Sequence, residues 1–92
     1  MSFSKESAVE RAKKDLAQRV GIAESEITAS ASDAEFPDMS LGAPQSGEMS
    51  AQMIASGWRI SLSAKGKNYE YRADKYQLRL RGFNGTNYII ES

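Results

Sequence analysis

Residues 58–81, WRISLSAKGKNYEYRADKYQLRLR, decide the fold. Trp58, Ile60, Leu62 and Ala64 alternate with Arg59, Ser61 and Ser63. Tyr69, Tyr71 and Ala73 alternate with Glu70, Arg72 and Asp74, and Tyr76, Leu78 and Leu80 with Gln77, Arg79 and Arg81. A period of two marks a half-buried strand, so the stretch predicts three strands, each with an apolar and a polar face. The apolar set is even-numbered in the first strand and odd-numbered in the second. A hairpin that keeps both sets on one face therefore needs an even-numbered loop, and Lys65-Gly66 is the natural two-residue turn. This register sets Leu62 opposite Tyr69, Ile60 opposite Tyr71 and Trp58, on the core face, opposite Ala73. A similar turn at Asp74-Lys75 would set Tyr71 opposite Leu78, Tyr69 opposite Leu80 and Glu70 opposite Arg79. On the polar face Arg59 then faces Arg72, a like-charge pair that needs an acidic group over it.

Upstream, Ser4 suits an N-cap, with Phe3 able to staple onto Ala8 and Glu6 in the first turn. Val9, Ala12, Leu16 and Val20 recur at helical spacing, and Gly21 followed by Ile22 fits a Schellman stop, so a helix is expected over about residues 5–20. The alternation of Ile27-Thr-Ala-Ser-Ala-Ser predicts a strand over about 27–35. A short strand is expected at 52–55 and a break at Gly57. Asn84-Gly85 reads as a turn before an edge strand at about 86–90.

The expected architecture is α+β: one domain, residues 1–92, with one N-terminal helix packed on an antiparallel sheet of four or five strands. A long loop joins the first strand to the C-terminal meander. A helix of this length is about 24 Å long and about 10 Å wide, whereas four strands span about 19 Å. The uncovered part of the apolar face needs a lid, and Phe36, Met39, Leu41, Met49, Met53 and Ile54 are the unassigned apolar residues. The loop at 36–54 is expected to fold back over that face, with a partner-binding segment as the competing reading.

Composition narrows the chemistry. The chain has no cysteine and no histidine, which removes disulfides, thiolate chemistry, the usual zinc sites and the usual neutral-pH base. Formal net charge is zero, but residues 22–57 carry six acidic side chains and no basic one, between two basic segments. Internal complementarity is the first reading of that segregation. No window approaches the roughly 20 apolar residues of a membrane span.

Phe36-Pro37-Asp38-Met39-Ser40-Leu41-Gly42-Ala43-Pro44, then Gly47, Gln52, Gly57-Trp58-Arg59-Ile60 and Tyr69-Glu70-Tyr71-Arg72-Ala73-Asp74 form a recognisable set. They resemble a small uncharacterised bacterial domain family, frequent in cyanobacteria and other phyla. Its pattern reads A-x-x-D-L-A in a helix, here Ala12 to Ala17, then W-P-D-x-S-L-G-C-P, G-Y-R-I and Y-x-Y-H-T-D. The resemblance spans about residues 8–75 and implies no particular activity. Ala43 and Arg72 stand where that pattern often has cysteine and histidine, so a role resting on the thiol or imidazole is not open to this chain. Members of such families often follow secretion or lipoprotein signals. The start MSFSKESAVE lacks a basic n-region followed by an apolar h-region, and a cytoplasmic protein is expected. The layout is also similar, at the level of fold alone, to PepSY-like peptidase-inhibitory modules.

An enzyme is not expected, because without histidine only Lys, Asp, Glu or Tyr could activate a serine and no G-x-S-x-G motif occurs; no cofactor is expected either. Asp33, Glu35 and Asp38 lack the spacing of a calcium loop. Arg59, Arg72, Arg79 and Arg81 share one sheet face, but Tyr69, Tyr71 and Tyr76 fall on the other, which makes a poor base-stacking platform. Anion or nucleic-acid binding is therefore the second reading. The leading one is a monomeric, non-enzymatic protein-interaction or structural module that uses the loop or a strand edge, with another protein as partner and no membrane. Its candidate interaction residues are Asp38, Leu41, Arg59, Arg72, Arg79 and Arg81. Asp38 is expected to reach Arg59 or Arg72, with Glu35 as the substitute.

Overall fold

A computed structural model describes residues 2–92. It contains α1 (Lys5–Val20), a 3-10 turn at Glu24–Glu26, and strands β1 (Thr28–Phe36), β2 (Ala55–Ala64), β3 (Lys67–Ala73), β4 (Leu78–Phe83) and β5 (Thr86–Glu91). The strands form one antiparallel sheet in the order β1-β2-β3-β4-β5. The fold is α+β, a five-stranded meander with a helix on one face.

The local signals of α1 work as their chemistry requires. The Ser4 hydroxyl accepts the Ser7 N–H, and Ser7 Oγ accepts the Ser4 N–H in return. At the other end Gly21 adopts φ +71°, and the N–H groups of Gly21 and Ile22 both donate to the Ala17 carbonyl. The buried face is Ala8, Ala12, Leu16 and Ala17, whereas Val9 and Val20 are only partly buried. Small alanines let the helix approach the sheet closely, and Tyr71, wholly buried on β3, fills the space beneath and donates its hydroxyl to Asp15 Oδ2 at 2.7 Å. Lys5 reaches Asp33 on β1 and Arg11 reaches Glu91 on β5, so the helix is tied to both edge strands.

The first hairpin has the register that parity predicts, with Leu62 opposite Tyr69, Ile60 opposite Tyr71 and Arg59 opposite Arg72. The second is shifted by two residues: Tyr71 faces Leu80, Ala73 faces Leu78, Glu70 faces Arg81 and Arg72 faces Arg79. The turn has four residues, because Asp74 Oδ1 accepts the N–H groups of Tyr76 and Gln77 while the Asp74 N–H donates to the Gln77 carbonyl. Residues 52–54 form no strand, and Gly57 lies within β2 rather than at a break. A Cβ there would run into the Ala73 carbonyl oxygen. Gly57→Ala is thus expected to push β2 from the end of β3 and destabilise by about 1–3 kcal/mol, read by urea unfolding.

The long loop corrects the expectation most. It covers the opposite face of the sheet, the arginine face, and not the remainder of the helix face. From β1 it crosses above β3 and β4 to β5, where Asn87 Nδ2 donates to the Pro44 carbonyl, and then returns to β2. The core is accordingly in two parts. The larger lies under α1, and a smaller one of Phe36, Leu41 and Ala55 lies under the loop. Met49, Met53 and Ile54 cover nothing and are exposed.

Candidate functional site

The loop and the arginine face meet in a polar interface. In β1–β4 the positions Ser32, Arg59, Arg72 and Arg79 stand directly across from one another, which puts three guanidinium groups in one row. Each finds acceptors. Glu70 Oε2 accepts from Arg59 Nε at 3.2 Å and from Arg72 Nε at 2.7 Å, and its Oε1 lies 3.9 Å from Arg81. Burial works against ionisation of Glu70, but the Arg72 bond and the field of Arg72, Arg81 and Arg59 outweigh it and hold the carboxyl below its ordinary value. Arg72 Nη1 donates to the Leu41 carbonyl at 2.9 Å. Arg79, 4% exposed, grips Glu48 through both terminal nitrogens, at 2.5 and 2.6 Å, and also donates to the Ala43 carbonyl and Gln77 Oε1. Glu48 is held down to about 2, first by the Arg79 bond and then by the Gln45 N–H.

This face is not free of aromatic rings either. Phe36, even-numbered on β1, lies on it and carries the guanidinium groups of Arg72 and Arg59 at 5.3 and 5.9 Å from its ring centre. The ring is buried, so it supports the arginines instead of offering a stacking surface.

Asp38 does not reach the arginine pair. Its Oδ1 accepts from the Ser40 N–H, the Ser40 hydroxyl at 2.6 Å and the Gly42 N–H. These bonds, the hydroxyl first, hold its carboxyl below the ordinary carboxylate range despite some burial. The physical reason is local. A carboxylate beside two turn amides is satisfied within a few residues, without the entropy of a longer reach. Ser40 and Leu41 are fully buried, Leu41 turns at φ +59°, and Gly42 at φ +64° leaves room for Arg72 Nη1, which a Cβ would approach to 2.6 Å. The Pro-Asp-x-Ser-Leu-Gly segment is thus a structural lock: the aspartate ties the turn, the leucine fills the small core and the glycine admits the arginine.

The structure therefore brings Asp38, Leu41, Arg72 and Arg79 together beneath or within the loop, with Arg59 and Arg81 beside them at Glu70. Sequence reasoning missed Glu48 and Glu70 as their counter-ions. Glu70 was legible as the one acid on the polar face of β3, two residues from Arg72. Asp33, Glu35 and Asp38 do not converge, and among the described residues no group of three or more acidic side chains forms a metal-binding cluster.

A second concave feature lies at the end of the sheet where β1 ends, β2 begins and the β3–β4 turn stands. It is a cleft of about 770 Å³ whose lining includes Asp33, Glu35, Met39, Ile54, Trp58 and Tyr76. Trp58 is half-buried, packed against the main core on one side and lining the cleft with the other. Tyr76 and Ile54 are 68% and 71% exposed.

The model of the Domain of unknown function (DUF8738) family matches residues 9–81, and the chain belongs to that family. No curated protein and no solved structure matches the chain. Among the described residues no helix is long and apolar enough to cross a membrane.

Proposed function

We propose that the protein is a non-enzymatic interaction module that takes up an extended segment of another protein along β1. The observation that carries this reading is the state of that edge. β1 has nine residues and pairs with β2 in unbroken register from Thr28↔Ser63 to Phe36↔Ala55, and nothing pairs with its outer side among the described residues. Exposed edges are ordinarily blunted by charged side chains, proline, bulges or brevity. β1 is long and has no proline or bulge, its two charges, Asp33 and Glu35, are both acidic and lie towards its end, and the small Ala and Ser side chains of residues 29–32 leave the backbone open. The other edge, β5, has six residues and register shifts against β4.

Anion or nucleic-acid binding through the arginine face has less support. Arg72 and Arg79 donate to loop carbonyls and carboxylates beneath the loop, and only Arg59 and Arg81 keep half their surface, both beside Glu70. Display of random short peptides against the immobilised protein tests the β1 reading. Enriched peptides should have an alternating pattern, and in solution they should shift the backbone amide resonances of residues 28–36. Enrichment of none, or shifts confined to other strands, would reject it.

A further inference from the structure

We infer that the segment taken up at β1 is basic, and that a lysine or arginine side chain from it lies in the cleft against Trp58, beside Asp33 and Glu35. This rests on the reading of β1 as an addition edge and specifies the partner.

From Ile22 to Gly57 the chain has six acidic side chains and no basic one. Glu24 and Glu26 lie at the turn that leads into β1, and Asp33 and Glu35 lie on the strand itself. Asp38 and Glu48 are committed to the loop, but the four along the edge are exposed. Asp33 has a partner in Lys5 at 3.1 Å, yet its side chain is 84% exposed; such surface pairs are weak and readily exchanged for another cation. Glu35 has no ion pair among the described residues.

Strand geometry then places the cation. Odd-numbered residues of β1 share the helix-side face with Trp58, which stands directly across from Asp33. A strand added outside β1 would lie about 4.8 Å further out, and its side chains on that face would point alongside Asp33 and Glu35. A long, unbranched cationic side chain can cross one strand width and bring its charged head over the indole. There the carboxylates neutralise it, and the ring face attracts it by the cation–π interaction. Tyr76 and Ile54, both exposed, supply apolar wall for its methylene stem. Lys75 also lines the cleft, at the turn, and leaves the β1 side as the acidic one.

The same charges argue against a second copy of this chain as the occupant. Two β1 edges laid antiparallel would bring two acidic edges together, a like-charge arrangement that a sheet disfavours.

Blocked peptides that alternate valine with lysine, valine with glutamate or valine with glutamine are the probes. The emission of Trp58, the chain's single tryptophan, and the amide resonances of residues 28–36 are the readouts. The lysine peptide should bind at β1, shift the Trp58 emission, weaken as salt rises, and bind about tenfold more tightly than the glutamine peptide, as two added charge contacts would give. Glu35→Lys should remove most of that advantage. Glu10→Lys, on the exposed side of α1, should leave it unchanged and so exclude a general charge effect. If glutamine and lysine peptides bind equally at β1, or Trp58 does not respond, the basic-partner inference is overturned while β1 addition stands. If no peptide perturbs β1, the addition reading falls as well. A concentration-dependent dimer whose contacts map to residues 28–36 would also overturn the proposal, with a second copy as the occupant.

Discussion

Glu48→Ala is expected to destabilise the protein by about 3–5 kcal/mol, the cost of leaving a buried charge without its partner. The charge is Arg79, 4% exposed, which would retain only Gln77 Oε1 and the Ala43 carbonyl as acceptors. For a domain of this size, each kcal/mol moves the melting temperature by about 4–8 °C, so thermal unfolding followed by circular dichroism suffices to read it. Replacing both members, Arg79→Met with Glu48→Leu, should recover most of the loss, because an apolar pair of similar bulk no longer carries an uncompensated charge. A double variant as unstable as the single one would show that the pair's worth lies in loop geometry instead.

The same pair gives a pH dependence of determined sign. The folded state lowers Glu48 from an ordinary 4.5 to about 2, so the unfolded chain binds this proton more readily. The stabilisation is present above about pH 4.5 and is lost as the pH falls towards 2. Asp38 and Glu70 are also lowered and act in the same direction. The gap in melting temperature between the wild-type protein and Glu48→Ala should narrow across that window. A gap that stayed constant would exclude Glu48 titration as its source.

Tyr71→Ala should be of comparable size, about 3–5 kcal/mol for a large-to-small change in a packed core. Tyr71 is the largest fully buried side chain and links β3 to α1 through Asp15. Tyr71→Phe keeps the ring and should cost only about 1–2 kcal/mol, since Asp15 retains Arg19 at 2.7 Å. Urea unfolding of the two variants separates packing from the hydrogen bond: equal losses would mean that the hydroxyl, not the ring, carries the effect. Burial, and then the bond to Asp15, push the tyrosine hydroxyl above its ordinary 10.0. This contribution is complete below about pH 10 and is lost as the pH rises past it.

Much of this could be read along the chain. The helix bounds came from Ser4 and Gly21, whose capping geometry depends only on neighbours. The faces of β2 and β3 and the register between them came from side-chain parity and from a two-residue turn at Lys65-Gly66. The pairing of Arg59 with Arg72, and the need for an acid near them, followed directly. Parity reaches its limit at the second hairpin. Turns of two and four residues satisfy it equally, and only the bonds from Tyr76 and Gln77 to Asp74 select four.

The cover of the arginine face was a tertiary decision. The loop's apolar residues alone suit either face of the sheet, so hydrophobicity does not choose between them. What chooses is long-range matching of donors and acceptors. Arg72 and Arg79 need oxygen atoms, and the loop delivers the carbonyls of Leu41 and Ala43 and the carboxylate of Glu48, while Phe36 pins its start to that side. Residues 31 to 38 positions apart meet in these bonds, and no local periodicity encodes such meetings. The open edge of β1 is likewise a property of strand order: the sequence alone determined that residues 27–35 extend, and only the sheet left them without a neighbour, because the chain's remaining strands all follow β2 on its other side.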